Sequence, residues 1–335
     1  MNSFTFVDCT SVDEALDHLK GDAIAKAGGI DLLDLMKDGV LTPPTLVNIR
    51  QVKSLHGIET TAQGLSLGPL TTLAELAAHP VIQKQYTALS DAAGHAATPQ
   101  VRNMATVGGN LVQKQRCWYY RSAEFNCLRK GGDTCYAQKG ENQYHAVMNN
   151  DICAMVSPSS TAVPLMAFGA LIEITSKKGK RTVPLNEFYF KPEDNLLQET
   201  VVSPDELITR ILVPAPGPGT RSAYQKYGEK ESFDWPLADA GVVLVMDGDT
   251  CKSASIVLGA AAPTPIHATA AEALLRGKTL DEATARAAGV AAMKGATPLA
   301  QNGYKIQLLS TVIYRTILVA AAQMKNDPSA VGGMA

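Results

Sequence analysis

The sequence predicts an α+β fold, and three observations carry the prediction. Strand-like runs alternate with capped helical runs through the first two hundred or so residues. A linker, Pro214-Ala215-Pro216-Gly217-Pro218-Gly219, then divides the chain. Beyond it, apolar runs at 241–246 and 253–258 flank Asp247-Gly248-Asp249, a hairpin signal, and alanine-rich helices follow at about 267–276, 280–294 and 302–325.

Taken in order, residues 3–7 suit a short strand. Ser11-Val12-Asp13-Glu14 fits a capping box, with Ala15, Leu16 and Leu19 on one helical face. The apolar run 23–27 leads straight into Gly28-Gly29; residues 30–36 read as a helical turn and 45–49 as another strand. Residues 1–53 therefore form a small βαββ-like unit with its glycine turn at a strand's C-terminal end. A second unit, 54–216, opens with strands around 57–67. Thr72-Leu73-Ala74-Glu75 is another capping box, its helix ending near His79-Pro80. A longer helix covers about 81–95, until Thr98-Pro99 breaks it. The segment 113–155 has little periodicity. A helix at 162–170, strands at 171–175 and 181–183, and a closing strand at 206–213 complete the unit. Residues 221–325 make the third unit, and 326–335 a tail expected to be disordered.

Composition narrows the function classes. With 335 residues, 46% hydrophobic and 19% charged, the chain has room for two or three domains of ordinary globular character. A net charge of -2 gives no basic face for nucleic acid. No run of about 18 apolar residues is evident, so no membrane insertion is expected. The N-terminus lacks the basic and apolar regions of a signal peptide, which implies synthesis in the cytoplasm. Final residence in the cytoplasm, or in the periplasm by co-export with a Tat-signal-bearing partner, stays open.

Two features carry chemistry. Ala27-Gly28-Gly29-Ile30-Asp31 and Thr106-Val107-Gly108-Gly109-Asn110 can each bring backbone N–H groups to a phosphate, or can simply be tight turns; neither is a GxGxxG. Four of the six cysteines follow the second turn with spacing Cys117-x9-Cys127-x7-Cys135-x17-Cys153. The close Cys pair of a structural zinc site is missing, so zinc, a [4Fe–4S] cluster and incidental thiols all remain. A metal centre would supply folding energy to this unpatterned loop. Cys9 and Cys251 read as plain buried residues. The histidines, His18, His56, His79, His95, His145 and His267, lie far apart and read as surface or helix-end residues. Trp118-Tyr119-Tyr120 suits either a stacking platform or aromatic packing. Lys226, Lys230 and Trp235 lie in a polar run, where a lysine faces either a phosphate or flavin carbonyl, or solvent.

These stretches resemble a known family. Ala27-Gly28-Gly29-x-Asp31-Leu32-Leu33 and residues 100–111 are similar to the two FAD-diphosphate loops in the FAD-binding (medium) subunit of molybdenum hydroxylases, the xanthine dehydrogenase and CO dehydrogenase flavoprotein family. Gly259-Ala260-Ala261-Ala262-Pro263, Ala271-Glu272-Ala273-Leu274-Leu275, and Pro298-Leu299-Ala300-x-Asn302-Gly303-Tyr304-Lys305 resemble its C-terminal domain. The cysteine segment resembles the subset represented by periplasmic-type aldehyde oxidoreductases. The resemblance implies a two-subdomain FAD-binding fold of the vanillyl-alcohol-oxidase type plus a C-terminal α+β domain. It implies FAD held by Lys26, Ala27, Gly28, Gly29, Ile30, Asp31, Leu32, Leu33, Thr106, Gly108, Gly109, Asn110, Ser160 and Lys230, and a [4Fe–4S] cluster on Cys117, Cys127, Cys135 and Cys153. Ile30 stands where the family usually has Thr, and Ser160 replaces an acidic residue expected near the flavin's sugar chain.

The implied role is electron relay with no catalytic base in this chain. A molybdopterin-binding large subunit holds the organic substrate, a small subunit carries two [2Fe–2S] clusters, and electrons pass through FAD to an external acceptor. The alternatives are a stand-alone FAD oxidoreductase acting on a small alcohol, for which no base or flavin-linking His or Cys stands out, and a zinc-stabilised non-enzymatic adaptor.

Overall fold

The computed structural model describes residues 1–230 and 233–323, and its three sheets follow the three sequence units. The expected tail at 326–335 lies outside the described residues. In the first unit, β1 (Thr5–Asp8), α1 (Val12–His18), β2 (Ile24–Lys26), α2 (Ile30–Lys37) and β3 (Thr45–Asn48) give a parallel sheet of order β1-β3-β2. The expected helical turn at 30–36 is thus a full helix, and the unit is βαβαβ. Parallel strands leave their C-terminal ends on one side, so the turn after β2 opens at the edge where such sheets bind ligands.

The second unit has β4 (Ile58–Thr61) and β5 (Gly64–Leu67), then a run of short helices: α3 (Leu73–Ala78), α4 (Pro80–Gln85), α5 (Thr87–Gly94), α6 (Pro99–Arg102), α7 (Val107–Val112), α8 (Trp118–Arg121) and α9 (Ala162–Ala167). Strands β6 (Leu171–Ser176), β7 (Gly179–Pro184) and β8 (Leu207–Pro214) complete an antiparallel sheet of order β4-β5-β8-β6-β7. Thr72 forms the expected capping box with Glu75. Ser11 caps α1 through the Glu14 N–H, but the Glu14 carboxylate turns back to the Thr10 N–H (2.8 Å) instead of that of Ser11. The helix expected over 81–95 is broken at Tyr86, which is fully buried: its ring packs on Phe168 and its hydroxyl donates to the Pro214 carbonyl. Packing that ring stabilises more than one unbroken helix would.

The third unit is a four-stranded antiparallel sheet, β9 (Thr220–Tyr227), β10 (Ala238–Asp247), β11 (Thr250–Leu258) and β12 (Ile266–His267), with α10 (Thr269–Leu275), α11 (Glu282–Ala292) and α12 (Tyr304–Ala322) on one face. The expected hairpin is β10–β11, with Gly248 at φ +60° in its turn. By length and mean hydropathy α12 would pass for a membrane-crossing helix, although Lys305, Gln307 and Arg315 interrupt its apolar residues, as the sequence expectation of no uninterrupted run requires. Its buried side chains Leu309, Val312, Ile313, Ile317 and Ala320 instead join Val242, Leu244 and Ile256 in a core of mostly small side chains, which lets the helices approach the sheet closely.

Candidate functional site

The site starts where β2 ends. Gly29, at φ +81°, is the N-cap of α2 and offers no capping side chain. The N–H groups of Gly29, Ile30, Asp31 and Leu32 have no protein acceptor among the described residues. A row of free amides at a helix start, reinforced by the helix dipole, is an anion site. The second glycine turn is different. Val107 N–H donates to Thr71 O, Gly108 N–H to Pro69 O, Gly109 N–H to Thr106 Oγ1 and Asn110 N–H to Thr106 O, at 2.8–3.1 Å. These amides are satisfied within the protein, so this turn is a wall and the start of α2 is the donor end. Asn110 Oδ1 accepts from Ser159 Oγ (2.8 Å) and from Thr161 Oγ1 and N–H (2.6 and 3.1 Å), which fastens the loop carrying Ser160. The two turns meet at Gly28, which packs on the Met104–Ala105 backbone.

Between them lies a cleft of about 580 Å³. Of the residues named from the sequence, Ala27, Gly28, Gly29, Ile30, Asp31, Leu32, Thr106, Gly108, Gly109, Asn110 and Ser160 line it. Three expected residues do not line it. Strand alternation turns Lys26 away, its ammonium 5.7 Å from the centre of the Phe6 ring. Leu33 follows the helix round to its other face. Lys230 is exposed, its backbone N–H donating to Asp234 Oδ2 (3.0 Å). The register of β9 brings Lys226 to the cleft instead, with Nζ donating to the Asp234 carbonyl (2.9 Å). Trp235 closes that end. The guanidinium of Arg116 lies 4.2 Å from its ring centre. Arg116 went unpredicted as a cleft residue because its place depends on a contact across more than eighty positions of chain.

That contact is an ionic knot. Asp31 Oδ1 accepts from Arg116 Nη1 (2.8 Å) and Arg121 Nη2 (2.6 Å), and Asp31 Oδ2 from the Lys114 N–H (2.7 Å). Asp34 Oδ2 lies 3.1 Å from Arg121 Nη1 and 3.8 Å from Arg116 Nη1. Arg121 also donates to the carbonyls of Gln115 and Lys114. Burial lowers the Arg116 pKa to about 10, against the opposing pull of Asp31. The Asp31 carboxylate is thus committed to the start of the cysteine segment.

The four cysteines of that segment are free thiols gathered into one region, Cys127 and Cys153 buried, Cys117 and Cys135 half-buried. Cys117 feels the charges of Cys153 and Cys127, and burial pushes it up to about 12. Cys153 donates its proton to Cys135, which lowers Cys135 and raises Cys153. The nearby backbone at Tyr119 and Tyr120 favours ionisation of Cys117, that at Ala154 and Ala137 favours Cys135, and that at Met155 favours Cys153. Among the described residues, however, no three His, Cys, Asp or Glu side chains stand close enough for a single metal ion. His145, expected at the surface, is buried with Nε2 3.3 Å from Cys117 Sγ, and burial lowers it to about 4. Trp118 packs edge-on against Tyr119, Tyr144 and His145, so these rings hold the segment together and do not line the cleft.

The far end of the segment is held by the third unit. Lys305, fully buried, donates to the carbonyls of Tyr144, His145 and Ala260 (3.3, 3.0 and 2.8 Å), and Asn302 Nδ2 to those of His145 and Ala146. The Ala261 carbonyl accepts from Val147 and Met148, and the Ala262 carbonyl from Ser157. Two of the three C-terminal motifs, 259–263 and 298–305, therefore serve as anchors for the cysteine segment.

Comparison with known proteins agrees with this geometry. Residues 2–216 match the FAD binding domain in molybdopterin dehydrogenase, and 222–320 the CO dehydrogenase flavoprotein C-terminal domain. The chain is 32% identical to the FAD-binding subunit of an Escherichia coli aldehyde oxidoreductase, over 96% of this chain and all of that one. It is 29% identical to the carbon monoxide dehydrogenase medium chain of Afipia carboxidovorans, over 93% of each. A chain of the carbon monoxide dehydrogenase of Hydrogenophaga pseudoflava superposes with a TM-score of 0.75 at 28% identity, covering 95% of this chain and 97% of that one. A two-unit FAD cleft with a C-terminal α+β unit, matched along nearly its whole length, places the chain in the family of FAD-binding medium subunits of molybdenum hydroxylases.

Proposed function

We propose that this chain is the FAD-carrying electron-transfer subunit of an aldehyde-oxidoreductase-type molybdenum hydroxylase. Its partners are a large chain holding molybdopterin and the organic substrate, and a small chain with two [2Fe–2S] clusters; electrons enter from the small chain and leave to an external acceptor. The observation that carries the reading is the row of free N–H groups at 29–32 facing a cleft walled by residues 104–110. Gly28 has no room for a side chain because the Met104 carbonyl lies against it, which keeps the two turns together at the cleft. In this reading residues 1–53 and 54–216 are the two halves of the FAD site, and 221–325 covers its far end.

When bound, FAD supplies the redox chemistry; the protein binds and orients it. The amides of Gly29 to Leu32 donate to the diphosphate, Ser160 offers a hydroxyl along the cleft, and Lys226 puts a cation at the Trp235 end. Cys117, Cys127, Cys135 and Cys153 hold a [4Fe–4S] cluster. Four free thiols gathered in one region, with His145 Nε2 3.3 Å from Cys117 Sγ, support this reading.

The test is purification of the chain with its neighbours. A yellow-brown complex of three chains with molybdenum, FAD, and iron from this chain in about fourfold excess over its FAD is expected. A colourless protein containing zinc would overturn the reading.

A further inference from the structure

Asp31 poses an electrostatic problem. It sits in the first turn of α2, beside the amides that face the cleft, and lines that cleft with Asp34. A carboxylate there suits the helix dipole but opposes any other anion at the same amides. Both carboxylates are met by two guanidinium groups from 116–121, so the four groups sum to zero charge. Every donor to Asp31 comes from the first residues of the cysteine segment: Lys114 N–H, Arg116 and Arg121. Arg121 is in turn tied to that segment by the carbonyls of Lys114 and Gln115. Nothing from the first or second sheet replaces these cations among the described residues, since the remaining ion pairs of the chain lie elsewhere.

We propose that the cysteine segment is a working part of the FAD site: Arg116 and Arg121 neutralise Asp31 and Asp34, so diphosphate affinity at α2 depends on the segment being folded in place, whatever its thiols hold. Arg116 and Arg121 are positioning residues acting through Asp31. Because coupling between two sites is reciprocal, FAD should also stabilise the folded segment and slow loss of whatever the thiols bind. The proposal rests on the FAD reading above.

The test uses the full chain. FAD dissociation is followed by the rise in free-flavin fluorescence for the wild type, Arg121→Met, Asp31→Asn and the double variant. Arg121→Met should weaken FAD about tenfold, within the usual range for coupled sites. The defect should be larger at low ionic strength, as expected for exposed charge on a cleft wall. Asp31→Asn alone should bind FAD at least as well as the wild type, and adding it to Arg121→Met should restore most of the loss. Rescue is decisive when the melting temperature of the flavin-free chain is measured beside it: a merely structural arginine is also rescued by removing its stranded partner, but its affinity loss follows the fall in stability, whereas an arginine that screens Asp31 changes affinity out of proportion to stability. If Arg121→Met is not recovered folded, Arg116→Met with and without Asp31→Asn carries the same comparison. A wild type that binds FAD, beside an Arg121→Met chain that binds it equally well, loses affinity only in step with stability or is not rescued, overturns the coupling and leaves the FAD reading standing. A folded wild type that binds no FAD overturns both.

Discussion

A Cβ placed on Gly28 would stand 1.9 Å from the carbonyl oxygen of Met104, inside any allowed contact. The two glycine turns thus touch backbone to backbone at one point, and that contact sets the width of the cleft. Gly28→Ala should push them apart, costing about 1–3 kcal/mol as overpacking does, with FAD lost from the purified protein. At Gly109 the added carbon would meet only Thr106 Oγ1 at 3.0 Å, a side chain able to shift, so Gly109→Ala should be milder. Thermal unfolding and flavin content of the two variants check the order; equal effects would mean that Gly28 does not set the cleft.

The two lysines of the 221–239 run separate the sequence reading from the structural one. Lys226 lies on β9 with its ammonium at the cleft, and Lys230 is exposed. Lys226→Ala should weaken FAD binding and lower the flavin midpoint potential, because a cation near the flavin favours its reduced, more negative form. Lys230→Ala should leave both within error. A potential shifted by Lys230→Ala alone would reverse the assignment.

How much of this was legible beforehand follows from what each residue depends on. Thr72 and Glu75 were readable because a capping box is settled within four residues. The glycine turns were readable as turns, but which of them keeps free amides was not. That depends on Pro69 and Thr71, residues from a different stretch of chain, accepting from the second turn. The break at Tyr86 depends on Phe168 and Pro214, and the commitment of Asp31 on Arg121, 90 positions away. His145 lacks any local signal of burial; its surroundings are built by Trp118 and Lys305 from either side. Local chemistry was visible and long-range pairing was not.

His145 also gives a pH dependence. Its folded pKa is lowered to about 4 from 6.5 by burial and, secondarily, by Lys305, so between those values the unfolded chain binds more protons than the folded one. Its contribution to stability is present above about pH 6.5 and is lost as pH falls toward 4. His145→Gln, which keeps a donor for Cys117, should flatten that part of the stability profile. Denaturant midpoints for both proteins across this window would show it, and parallel profiles would rule His145 out as the source.

Lys305 and Asp239 make the last case, with opposite signs. Burial lowers Lys305 to about 7 from 10.5, and burial raises Asp239 to about 6 from 3.8. Between pH 7 and 10.5 the unfolded chain holds the lysine proton that the folded chain has lost, so this term makes stability rise with pH. Between pH 3.8 and 6 the folded chain holds the carboxyl proton and the unfolded chain does not, so the Asp239 term makes stability fall as pH rises. Lys305→Met removes the first slope. It also strips a donor from the carbonyls of Tyr144, His145 and Ala260 and takes from buried Asp239 one of the two cations that favour its carboxylate, the other being Lys226, so it should destabilise the protein at neutral pH by about 1–3 kcal/mol. Because those carbonyls belong partly to the cysteine segment, the same variant should, if the segment holds the proposed cluster, lose its iron faster than the wild type in the presence of a chelator. Asp239→Asn in the Lys305→Met background should recover part of the stability by removing the buried charge, while leaving the iron loss unchanged, since Asp239 bonds Tyr224 and Ala260 and touches no residue of the segment. Recovery of both would mean that charge, and not the anchoring of the segment, is what Lys305 supplies.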